Sequence, residues 1–105
     1  MTTLSNGSID LIIEHRELNL RPIVQLLVSK IMSNNNHIRA VIFDGKTVCQ
    51  HCIFVSTEID RLYNEGKLEN FTIIRLEHYS ISSIPKRNNI PVILVNQIQI
   101  LRKGL

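Results

Sequence analysis

Aromatic residues are scarce in this chain, at 5%, and tryptophan is absent. A protein that stacks bases of single-stranded nucleic acid needs aromatic faces, so this composition argues against a strong binder of that kind. Cysteine is also scarce: two residues cannot build a disulfide scaffold, which points to a reducing compartment. No apolar run approaches the roughly 20 residues that span a bilayer, so no membrane-spanning segment is expected. The opening Met1–Ser8 has no basic stretch followed by an apolar core, so no secretory signal is expected. A glycine-rich phosphate loop is missing too. Asp44-Gly45-Lys46-Thr47 has the ending of one but lacks the upstream glycine.

What remains is ordinary globular composition, 44% hydrophobic and 20% charged, in 105 residues. That length predicts one domain over 1–105 with a single small core. Lys and Arg number 12 against 9 Asp and Glu, a formal charge of +3. The acids gather at Asp10, Glu14 and Glu17 and again at Glu58, Asp60, Glu65 and Glu69; after Glu77 there is none. The surplus of cations between these clusters fits an acidic partner, and equally a plain solvated face.

Ile9, Ile12 and Ile13 have helical spacing, which predicts a short helix over Ser5–His15 capped by Ser5 or Asn6. Ile23–Ser29 reads as a strand with Val24, Leu26 and Val28 on one face. The asparagine run 33–36 reads as a loop. His37–Phe43 is a second strand ended by the turn signal Asp44-Gly45, and Thr47–Val55 is a third. Ser56-Thr57 caps a helix over Glu58–Leu68 with Gly66 near its end. Phe71–Ile81 is a long strand, Ser82–Pro91 a loop, and Val92–Leu101 the last strand. The order predicts a mostly β fold: a five-stranded antiparallel Greek-key OB-fold barrel. A helix lies between strands three and four, and a short helix leads in. The short connections leave no room for parallel crossovers. An antiparallel half-barrel or an open α+β sheet is the alternative.

Chemistry has few candidates. In Cys49-Gln50-His51-Cys52, residues three apart on a strand point to opposite faces, so the thiols cannot meet one ion and read as structural. Zinc needs about four converging ligands, and no second pair exists. None of His15, His37, His51 and His78 has a nucleophile or carboxylate at triad spacing. No enzyme, no metal and no cofactor are expected. On the second and third strands, the more apolar sets fill the barrel and leave His37, Arg39, His51 and Ile53 together outside. Positive charge mixed with an apolar side chain suits an acidic amphipathic helix laid in a groove. An ordinary sheet exterior is the other reading. For single-stranded nucleic acid, Phe43 and Tyr79 are the only plausible stacking residues.

The chain resembles the N-terminal domain of the large subunit of replication protein A, the eukaryotic single-strand DNA-binding complex. Leu4-Ser5-Asn6-Gly7-Ser8-Ile9 is similar to that family's Leu-Ser-x-Gly-x-Ile start, and Asn19–Gln25 to its lead into the first strand. Arg39 followed by Phe43-Asp44-Gly45 resembles its second strand and turn; Leu68–Tyr79 and Val92–Val95 resemble its closing strands. The resemblance implies a nuclear OB fold that recruits acidic helical segments of DNA replication, repair and checkpoint proteins and binds single-stranded DNA weakly. It also implies further OB domains in the same subunit and other subunits of a replication protein A complex as partners. By resemblance the basic rim is Lys30, Arg39, Lys86 and Arg87. The floor is His51, Ile53, Ile84 and Val92, with Ser82 beside it. His37 stands where the family usually has an arginine, and His51 where it has a small polar residue.

Overall fold

The computed structural model describes residues 3–32, 37–84 and 88–104. Its elements run α1 (Ser8–His15), β1 (Ile23–Ile31), β2 (Ile38–Phe43), β3 (Val48–Phe54), α2 (Thr57–Asn64), β4 (Ile73–Ile84) and β5 (Ile90–Arg102). The five strands close into a barrel in the order β1-β2-β3-β5-β4, with β4 returning to β1. That order is consistent with an OB fold.

The expectation of a wholly antiparallel sheet fails at one place, for a geometric reason. A closed ring with an odd number of strands cannot alternate direction all the way round. Here β3 and β5 run parallel, Cys52 facing Ile93, Ile53 facing Leu94 and Phe54 facing Val95. The other four pairings are antiparallel. The crossover that a parallel pair requires is supplied by α2 and β4 together.

Alternation fills the interior with Val24, Leu26, Ile38, Ala40, Ile42, Phe54, Ile74, Leu76, Ile93 and Val95. Ile9 and Ile12 of α1 and Ile59 of α2 join the same cluster. Two bulges change which side chains face out. The β1–β2 register shifts between Leu26 and Val28, so Val28 does not share the inward face of Val24 and Leu26; it is exposed. The β2–β3 register shifts between Ala40, which faces Cys52, and Ile42, which faces Cys49. Val41 therefore opposes both Gln50 and His51. Cys49 and Cys52 both turn inward, and the expectation that they lie on opposite faces is wrong.

The helix ends also differ from expectation. α1 is not capped by Ser5 or Asn6: its N-cap is Gly7 at φ 82, without a side-chain cap. Ser5 Oγ instead accepts the Ile23 N–H at 2.9 Å. The capping carboxylate comes from Asp44, which is fully buried. One Asp44 oxygen accepts the Ile9 N–H at 3.0 Å, and the other accepts those of Lys46 at 2.8 Å and Thr47 at 2.6 Å. Gly45 is required here. Its φ is 96, and a β-carbon would sit 1.8 Å from Asn6 Oδ1. α2 starts as expected, Ser56 Oγ accepting the Ile59 N–H at 3.1 Å. It stops at Asn64 rather than Leu68, because Gly66 at φ 74 donates to Tyr63 and Lys67 donates to Leu62, a Schellman closure.

Within the predicted loop Ser82–Pro91, the described residues Ser82–Ile84 and Ile90–Pro91 are strand. Ser82 pairs with Val92, Ser83 with Pro91 and Ile84 with Ile90, so β4 and β5 extend as a two-stranded arm. Pro91 is tolerated because β3 pairs with β5 only from Ile93 onward, leaving that edge without a partner to disappoint.

Asp44 joins the β2–β3 turn to the start of α1. Burial pushes its carboxyl up, but the N–H groups of Thr47, Ile9, Lys46 and Gly7 outweigh burial and hold it below the usual 3.8. A lowered native value stabilises above the unfolded value and stops doing so as pH falls through the native one. Asp44→Ala is therefore expected to cost about 2–4 kcal/mol at pH 7. In urea titrations the gap to wild type should stay constant down to about pH 5 and narrow below it.

Candidate functional site

Strand pairing builds one row across the outer face. Lys30 on β1 faces Arg39 on β2, Arg39 faces Ile53 on β3, and Ile53 faces Leu94 on β5. Directly opposed residues share a face, so a cation pair stands beside an apolar side chain. The bulge at Leu27 keeps Lys30 on this face, and the bulge at Gln50 and His51 brings Gln50 out beside His51, which shares the face of Ile53 by alternation.

Beside the row lies a groove of about 360 Å³ lined by Met32, Arg39, Gln50, His51, Cys52, Ile53, Ile84 and Val92. Its far wall is the β4–β5 arm, which carries Ile84 and Val92; Val92 is only 4% exposed. Arg39 Nε donates to the Gln50 carbonyl at 3.4 Å, which lays the side chain across β3.

Five of the expected residues thus meet in one place: Arg39, His51, Ile53, Ile84 and Val92. Lys30 adjoins them across the strand pair. Ser82 is exposed on the arm opposite Val92 and does not line the groove. His37 is exposed just before β2, its carbonyl accepting the Met32 N–H at 2.7 Å, and does not line the groove either. Lys86 and Arg87 lie outside the described residues. Met32 and Gln50 were missed. Met32 directly follows β1, beyond the expected strand Ile23–Ser29, and Gln50 reaches the groove only through a bulge that composition does not mark.

The groove is flanked by a facing pair of cations without acids. Arg21, Lys46, Arg61, Lys67, Arg75 and Lys103 each have a carboxylate within 4.0 Å. Among the described residues Arg16, Lys30, Arg39 and Arg102 have none, and of these Lys30 and Arg39 face each other across the β1–β2 pair. A larger cavity of about 490 Å³ lies between α2 and β5, lined by Glu58, Leu62, Lys67, Ile98, Ile100 and Lys103. Both of its lysines are neutralised, Lys67 by Glu65 at 3.1 Å and Lys103 by Glu69 at 3.6 Å.

A family model described as the N-terminal domain of Replication factor-A protein 1 matches residues 4–103. The chain belongs to this family. A search of the curated proteins returned no match.

In this member of the Replication factor-A protein 1 N-terminal family, the candidate stacking aromatics are not equivalent. Phe43 is half-buried on the outer face of β2. Tyr79 is spent on structure: it packs against the core, and its hydroxyl donates to the Leu20 carbonyl at 2.7 Å and lies 3.3 Å from that of Glu17. Among the described residues no three of His, Cys, Asp and Glu converge as metal ligands would. The thiols are held protonated. Burial pushes Cys49 up, with the Asp44 charge adding to it, and burial pushes Cys52 up further. A thiol reagent at pH 8 should label neither cysteine in the folded protein at more than about a hundredth of the rate in denaturant. Rapid labelling under native conditions would mean that the barrel wall opens at β3.

Proposed function

We propose that this chain is a non-enzymatic recruitment domain that binds acidic amphipathic helical segments in the groove between the β2–β3 face and the β4–β5 arm. The barrel is read as a Greek-key OB fold. The partners are proteins of DNA replication, repair and checkpoint signalling, met in the nucleus, and the domain serves within a replication protein A complex. Family membership supports that setting.

One observation carries the groove: Lys30 and Arg39 face each other without an acid, next to Ile53. Each cation offers an unmatched charge to a carboxylate, and Arg39 keeps N–H donors beyond the one bound to Gln50. Ile53, Ile84 and Val92 take the apolar side of the helix. Charge then governs the encounter and apolar burial the residence time. Single-stranded DNA is the weaker ligand on this reading, because Tyr79 is unavailable for stacking.

An exposed charge contact is worth about 1 kcal/mol and a bidentate one more. Arg39→Glu removes one and adds a repulsion, so its expected cost is about 2–3 kcal/mol, roughly 30–150-fold in Kd. Fluorescence polarisation with a labelled acidic helical peptide measures this, and circular dichroism should show an unchanged fold. Unaltered affinity would remove Arg39 from the site. An oligonucleotide that binds more tightly than the peptide in the same buffer, with a steep salt slope, would favour nucleic acid instead.

A further inference from the structure

The outward row of β2 does not stop at the groove. From Arg39 it continues through Val41 to Phe43, about 13 Å of strand at roughly 3.3 Å per residue. Val41 and Phe43 each have an apolar neighbour on one side and a polar one on the other, Gln50 and His51 beside Val41 and Gln25 beside Phe43. Val28 on β1 faces Val41, and Val48 on β3 faces Phe43. Val28 and Val48 are each 47% exposed, where a wet sheet face ordinarily carries polar residues.

Phe71 adjoins this strip. Its N–H donates to the Leu26 carbonyl, and its own carbonyl accepts from Gln25 Nε2 at 3.3 Å; Gln25 in turn faces Phe43. Phe71 is 51% exposed and sits at φ 72. A bulky side chain is costly in that left-handed conformation, which suits glycine or asparagine. The position therefore carries backbone strain without gaining core burial. An exposed apolar patch of this kind marks a contact surface.

Charge assigns the occupant. The strip is continuous with the groove at Arg39, where Lys30 and Arg39 lack acids. At its other end Lys46 is already matched by Asp10 at 3.7 Å. A ligand crossing both must place its acids over Lys30 and Arg39 and its greasy part beyond them. Resting on the groove reading above, we propose that the partner segment is bipartite: an acidic amphipathic helix joined to an apolar stretch that lies over Val28, Val41, Phe43, Val48 and Phe71. If that stretch stays helical, 13 Å is about nine residues at roughly 1.5 Å each.

The test is a polarisation titration with three labelled peptides: the acidic helix alone, and the same helix extended by an apolar stretch at either end. One extended peptide is expected to bind about tenfold tighter than the short one. Val28→Thr with Val48→Thr should erase that gain and leave the short peptide's Kd unchanged. Phe71→Asn should erase part of it, about threefold, without lowering Tm, because asparagine suits the positive φ. A short peptide that binds while neither extension helps, or a gain that survives the double variant, overturns the proposal and leaves the groove standing. Failure of all three peptides on the wild-type chain overturns both. Sedimentation of the wild type as a dimer that Val28→Thr with Val48→Thr returns to monomer would make the strip a self-association face and also overturn it.

Discussion

Closing five strands into one ring imposes at least one parallel pair, and the proposed site follows from where the one present here falls. Because β3 lies against β5 rather than β4, Ile53 has Leu94 beside it, and the β4–β5 arm stands next to the β2–β3 face. The arm supplies Ile84 and Val92 as the second wall of the groove. A flat sheet of the same strands would present these residues on a surface with no concavity. The geometry of the proposed site is thus a consequence of ring closure, with α1 fixed by the buried Asp44 carboxylate and α2 by its own caps.

Electrostatics distinguish the proposed binding groove from the other concavity. The wider cavity beside α2 has neutralised lysines, so its walls offer an approaching anion little. The groove beside β3 keeps its cations unmatched. Screening in cell salt limits each of these charges to a modest contribution. On the proposed reading the apolar floor must therefore supply much of the hold, and the proposed strip of exposed valines on β1 and β3 would enlarge that floor.

Much of this was legible in the residues. Alternation located the strands, the spacing of Ile9, Ile12 and Ile13 located the first helix, the Ser56-Thr57 cap and Gly66 located the second, and the outward grouping of Arg39, His51 and Ile53 followed from period two. The parts that were not legible have physical reasons. A bulge inserts one residue without a compositional mark, so neither the outward turn of Val28 nor the inward turn of both cysteines could be read. Asp44 caps a helix 35 residues away, a pairing that only the folded barrel creates. Ser82, Ser83 and Pro91 look like loop residues, yet an arm with a free edge accepts them as strand. Phe71 gave no periodic signal, because its exposure depends on a turn with positive φ.

The most direct test of the central claim is amide chemical-shift mapping with an acidic helical peptide. The account predicts the largest shifts at Arg39, His51, Ile53, Ile84 and Val92, on both walls of the groove. Shifts centred on Leu62, Ile98 and Ile100, with the groove silent, would contradict it.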